Sequence, residues 1–197
     1  LTPCVAQVET GGHLKAFYNY AAFPHDSLLD GPDNPYHEQL ANLRLKADFS
    51  AGGWDGSVHY VLNGLHSRNL ATCGLDGLVS DEGCRGLGRD NRQLFDMSKV
   101  LWEGDDAIVA QRIDRLSLGY TAAGHTLRLG RQAISWGNGL IYTPMDFFNP
   151  FDPSAVDKEY KTGDDMLYGQ YLRQNGDDAQ AVWVFRRDLA GEVTSDV

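Results

Sequence analysis

The sequence predicts an all-β fold: an antiparallel transmembrane β-barrel, or the N-terminal part of a larger one, in a single domain over residues 1–197. Three observations predict it. Apolar and polar residues alternate with period 2 through much of the chain, which sends one set to each face of a strand. The alternating runs reach about 9–11 residues, the length that crosses a bilayer at a tilt, whereas ordinary strands average about 5–6. Short turns at one end alternate with long connections at the other, the asymmetry of outer-membrane barrels. Composition agrees: aromatics are 11% and glycine is 22 of 197 residues, which favours a turn-rich β protein over a helical one.

The first strand is expected over 13–21, HLKAFYNYA, where Leu14, Ala16, Tyr18 and Tyr20 oppose Lys15 and Asn19. In 40–49, Leu43, Leu45, Ala47 and Phe49 oppose Arg44, Lys46 and Asp48. In 54–62, Trp54, Val58, Tyr60 and Leu62 oppose Asp55, Ser57 and His59, and the linker AGG makes these two strands a hairpin. The stretch from about 65 to 105 reads as irregular, with a short helix expected near RQLFDMSKVLW. Strands resume at 114–122 and 125–135, joined by an Ala-Gly turn, and again at 166–174 and 179–187, joined by NGDD. The triplet Gly-Asp-Asp stands at 104–106, 163–165 and 176–178. We read it as turn punctuation, since glycine supplies positive φ and Asp caps its own backbone; a calcium loop needs further oxygen ligands at set spacing. The count is roughly seven to eight strands, without the terminal aromatic strand of a closing barrel, so both a larger barrel and a small side-chain-filled one are expected architectures.

Net charge is −10, which argues against nucleic acid as a partner, because phosphate binding needs a basic surface. Cys73 and Cys84 lie 84 − 73 = 11 positions apart in a polar, glycine-rich segment, and a disulfide closing that loop is expected, with an oxidising compartment. No second cysteine or histidine pair stands at zinc-ligand spacing, and neither metal nor cofactor is expected. No nucleophile elbow, phosphate-binding loop or His-Glu-x-x-His is present, and the reading is of a protein that is not an enzyme.

Alternation alone fits two architectures. A soluble sandwich buries its apolar face and wets the charged one. An outer-membrane barrel turns the apolar face to lipid and the charged one to a watery lumen. Strand length, the turn asymmetry and aromatics near strand ends favour the barrel.

The segment 127–172 resembles the signature region of a group of proteobacterial outer-membrane barrels, porin-like and similar in style to alginate-export barrels. The residues that carry the resemblance are Gly130, Arg131, Gln132, Trp136, Gly137, Asp146, Asn149 and Pro150. They belong to a strand ending in Gly-Arg-Gln, a Trp-Gly, an Asp, an Asn-Pro and a second strand. The resemblance implies a Gram-negative outer-membrane location and a transport role. Its partners would be outer-membrane lipid, a small solute and proteins of an export complex.

Residues 136–165 carry Trp136, Tyr142, Phe147, Phe148 and Phe151 yet are broken by glycine and proline. In a barrel such a segment either folds inward as a constriction or plug, or caps the outer end. The pore-lining and constriction residues expected on this reading are Arg44, Lys46, Asp48, Arg115, Arg128, Arg131, Asp146, Asp152 and Lys158. The function expected is that of a pore or export component. The alternative is a secreted β-sandwich that binds carbohydrate on exposed Trp and Tyr.

Overall fold

The computed structural model describes residues 6–27, 34–67, 90, 93–134, 162–188 and 192–196. The described residues form one antiparallel sheet of nine strands: β1 Gln7–Ala21, β2 Tyr36–Ala51, β3 Trp54–Ser67, β4 Ser98–Glu103, β5 Ala107–Ala122, β6 His125–Gln132, β7 Asp164–Leu172, β8 Asp178–Arg187 and β9 Val193–Asp196. Among the described residues there is no helix.

The alternating pattern sets the register. Leu14 stands opposite Leu43, and Leu43 opposite Leu62. Two rows lower, Ala47 faces Val58 and Val58 faces Leu116. A slip of one residue would carry these apolar residues to the charged face, so pattern and register enforce each other. The turn of β2–β3 has positive φ at Gly52 and Gly53, and that of β5–β6 at Ala123 and Gly124. Two successive positive-φ residues match the right-handed twist of a two-residue hairpin.

Sheet order is β1-β2-β3-β5-β6-β7-β8-β9, with β4 beside β5. β5 therefore carries two neighbours on one edge: β4 along 108–112 and β6 along 116–122. Between them β5 has a bulge, where His59 pairs with Arg115 and Tyr60 already pairs with Ile113. Asp114 is the extra residue, and the bulge lets Asp114 and Arg115 share one face.

Several expectations change. The sheet does not close into a barrel: β1 and β9 remain at opposite edges, and the four residues of β9 cover only Val184 to Arg187 of β8. The helix expected near RQLFDMSKVLW is instead β4, because pairing with the edge of β5 outweighs local helical spacing. The run AIVAQRI joins the predicted strand at 114–122 as one 16-residue β5. At 163–165 the Gly-Asp-Asp triplet is no turn, since Asp164 and Asp165 open β7 and are buried. The Cys73–Cys84 disulfide and most of 136–165 lie outside the described residues.

The two faces differ in chemistry. One carries Leu14, Leu45, Leu116, Leu118, Leu127 and Leu129, and it is bare: Leu14 is 72% and Leu129 60% exposed. Aromatic and imidazole rings bound this apolar band at both ends. Trp54 packs on Tyr120 with ring centroids 4.8 Å apart, and His125 stacks on Tyr171 at 4.6 Å. At the other end Tyr18 and Tyr20 meet His37, and Trp102 is exposed. The opposite face mixes polar groups with buried apolar ones: Val61, Leu65, Ile108 and Ala110 toward the long-connection end, and a cluster of Met166, Val182 and Val184, against which Ile134 and Tyr168 pack.

Candidate functional site

The polar face is organised around a transverse belt of arginines and aspartates, built from five strands. Asp114, 1% exposed, sits at its centre on the bulge of β5. Arg44 of β2 donates to its Oδ2 at 2.6 Å, Arg115 to the same oxygen at 3.0 Å, and Arg112 to Oδ1 at 3.1 Å. A single carboxylate thus gathers three guanidiniums from two strands.

The belt continues through β6 and β7. Arg131, also 1% exposed, grips Asp165 in a fork, Nε to Oδ1 at 3.0 Å and Nη2 to Oδ2 at 3.1 Å. It donates further to the Ile113 carbonyl at 3.2 Å, to Asp90 and to the Phe95 carbonyl. Asp165 in turn accepts from the Phe95 N–H at 2.9 Å, and Asp90 from the Met97 N–H at 3.0 Å. Arg131 therefore ties the segment leading into β4 against the end of β6, where β5 passes from one neighbour to the other. The planar fork of arginine suits this task, because several acceptors lie in its plane. Gly130 has φ 118°, which breaks the alternation just before it and lets Arg131 and Gln132 both be buried. On β8, Arg186 donates to Asp164 at 2.7 Å.

Nearer the short turns the polar face opens into a hollow of about 720 Å³. Its walls include Asp48 from β2, His59 from β3, Arg115 from β5, Arg128 from β6, Tyr168 from β7 and Gln180 from β8. That β2, β3, β5, β6, β7 and β8 all line one hollow means that the sheet curls with its polar face inward. Arg128 reaches across β5 to Asp55, with Nε at 3.0 Å and Nη2 at 2.6 Å. Gly119 lies between them in the same row, and a Cβ there would stand 2.6 Å from the Asp55 carboxylate. His59 Nε2 lies 3.2 Å from Asp48. The hydroxyls of Ser57 and Ser117 pair at 2.9 Å.

Of the expected lining residues, Arg44, Lys46, Asp48, Arg115 and Arg128 lie on this polar face. Arg131 is buried, 1% exposed, among Asp90, Asp165 and the Phe95 carbonyl. Asp146, Asp152 and Lys158 are outside the described residues. The partners Asp90, Asp164 and Asp165 were not expected; the signal for two of them was the Gly-Asp-Asp triplet, read as a turn. No group of histidines, cysteines and carboxylates fit to hold a metal occurs among the described residues.

No family model, no curated protein and no solved structure matches the chain.

Proposed function

We propose that this sheet is a stretch of the wall of a bacterial outer-membrane β-barrel that passes or exports a solute. The observation that carries the reading is the bare apolar face framed by rings. From Val109, the partner of Trp102, to Tyr120 there are 120 − 109 = 11 residues. At about 3.4 Å each and a tilt of about 40°, they span about 28 Å, close to the roughly 25 Å apolar band of outer-membrane barrels. Such a face in water would be an interaction patch of unusual size; in a bilayer it is the surface that lipid covers, with ring-bearing side chains at the headgroup level.

The polar face then borders the lumen, and its ion-paired belt is the interior of the barrel wall. In hydrocarbon the open backbone of β1 and of β8–β9 needs strand partners, so strands beyond these nine complete the wall. The connections agree with this orientation. Three hairpin turns, at 52–53, 123–124 and 173–177, share one end of the sheet. The other end carries the long connections 22–35, 68–97 and 133–163, beside two short ones.

The test is heat-modifiability. The chain, refolded in detergent, is run on a gel with and without boiling, beside circular dichroism and protease digestion. A mobility shift, a β spectrum and resistance to protease are the expected result. A chain that stays monodisperse without detergent and shows no shift refutes the membrane reading and favours a secreted binding module.

A further inference from the structure

We propose that the hollow on the turn side of the belt holds an uncharged, polyhydroxylated solute of monosaccharide or disaccharide size. This rests on the reading of the polar face as the lumen side of a barrel wall, and it names the class of solute.

The argument begins with charge. The hollow is bordered by two carboxylates, Asp48 and Asp55, and two guanidiniums, Arg115 and Arg128, so its formal charge is 2 − 2 = 0 with His59 neutral. The charges are also spent locally. Arg128 gives two hydrogen bonds to Asp55, Arg115 is bonded to Asp114, and Asp48 faces His59. Filters that select ions with charged side chains work differently, by ringing the passage with charge of a single sign. Here charges of both signs share one hollow and balance in sum.

The remaining lining groups point to a polyol. Ser57, Ser117, Thr126, Gln170, Gln180 and Tyr168 each both donate and accept, as sugar hydroxyls do. Gln170 and Gln180 are register partners across β7 and β8, and the amide of each donates to Asp178, at 3.3 and 2.6 Å. They stand in the row beside Tyr168 and Val182, which puts amides next to an aromatic and aliphatic patch. A sugar ring presents the same combination, with hydroxyls at its rim and C–H groups on its faces. At about 720 Å³ the hollow lies within the range of small-ligand sites, about 300–1,000 Å³.

The experiment uses the full chain in lauryldimethylamine oxide, a detergent without a sugar, and saturation-transfer NMR with maltose, glucose and gluconate as probes. Maltose and glucose should give transfer from the protein, and gluconate several-fold less. Gln180→Leu, checked for folding by gel shift, should cut the maltose signal at least threefold. Asp55→Asn should leave Arg128 uncompensated and shift the ratio of gluconate to glucose upward by about threefold, the effect of one unit charge about 6 Å away in a water-like dielectric. Gluconate transfer equal to that of glucose in the unaltered chain, or a maltose signal indifferent to Gln180→Leu, overturns the assignment. Osmotic swelling of phosphatidylcholine vesicles carrying the chain reads the pore itself. Sugar transfer without swelling sinks the pore and keeps the site; swelling without sugar transfer keeps the pore and sinks the site.

Discussion

Asp114→Asn is the sharpest perturbation of the charge belt. The carboxylate is 1% exposed and accepts from Arg44, Arg112 and Arg115 at 2.6, 3.1 and 3.0 Å. The amide keeps the shape and removes the negative charge, leaving three guanidiniums facing a neutral group that now also presents two N–H donors. Taking one partner from a buried pair costs about 3–5 kcal/mol, mostly because the remaining charge stays desolvated. Arg44 is itself 6% exposed, while Arg112 and Arg115 are partly buried and reach solvent more readily, so the expected loss is near the lower end, about 3 kcal/mol. The assay is urea unfolding in detergent, followed by the fluorescence of the four tryptophans, with the slope compared between variants to confirm that the same surface unfolds. Arg44→Met made together with Asp114→Asn removes one of the stranded charges and should recover part of the loss. A loss below about 1 kcal/mol, the range of exposed ion pairs, would show that water enters the belt and refute the reasoning from burial.

Three further outcomes follow from the geometry. Leu129→Arg, on the bare apolar face, should cost about 2–4 kcal/mol in lipid and almost nothing in a water-soluble form, read by unfolding in vesicles. Gly119→Ala should push the Asp55 carboxylate off Arg128 and cost about 1 kcal/mol, and should cost less when Asp55 is already Asn, measured as a double-mutant cycle. Ala123→Gly should stabilise the chain by about 0.5–1 kcal/mol in the same titration, because Ala123 holds φ 51° in a turn that glycine enters without steric cost.

Much of the sheet was legible because each strand repeats one bit of information at every second residue. The hairpins at AGG, Ala-Gly and NGDD, and the facing of Leu43, Val58 and Leu118, came directly from that repeat. What was hidden depended on a partner elsewhere in the chain. In RQLFDMSKVLW the spacing of Leu94, Met97 and Leu101 is helical, and only the free edge of β5 makes 98–103 a strand. The bulge was written as a change of phase, with Arg112 and Asp114 at even positions and Arg115 and Ser117 at odd ones, but a phase change does not say which residue is extra. Asp164 and Asp165 looked like turn residues because the arginines that justify burying them, Arg186 and Arg131, are more than twenty positions away. Arg131 was expected to line a passage for the same reason: its charge was visible, and the partners that enclose it were not.

The belt also has a bearing on the order of assembly. Apart from the step from β3 to β5, strands sit beside their sequence neighbours, so most of the sheet can grow hairpin by hairpin with little loop-closure cost. The long-range bonds of the polar face are of another kind: Arg44 to Asp114 and Phe95 to Asp165 each span 70 positions, and Arg128 to Asp55 spans 73. They can close only after the strands they join are in place. Interactions that form after the rate-limiting step leave the speed of folding unchanged and slow its reversal. The arginines and aspartates of this sheet would then act as a late-fastening clasp, lengthening the lifetime of a structure whose shape was already set by its leucines.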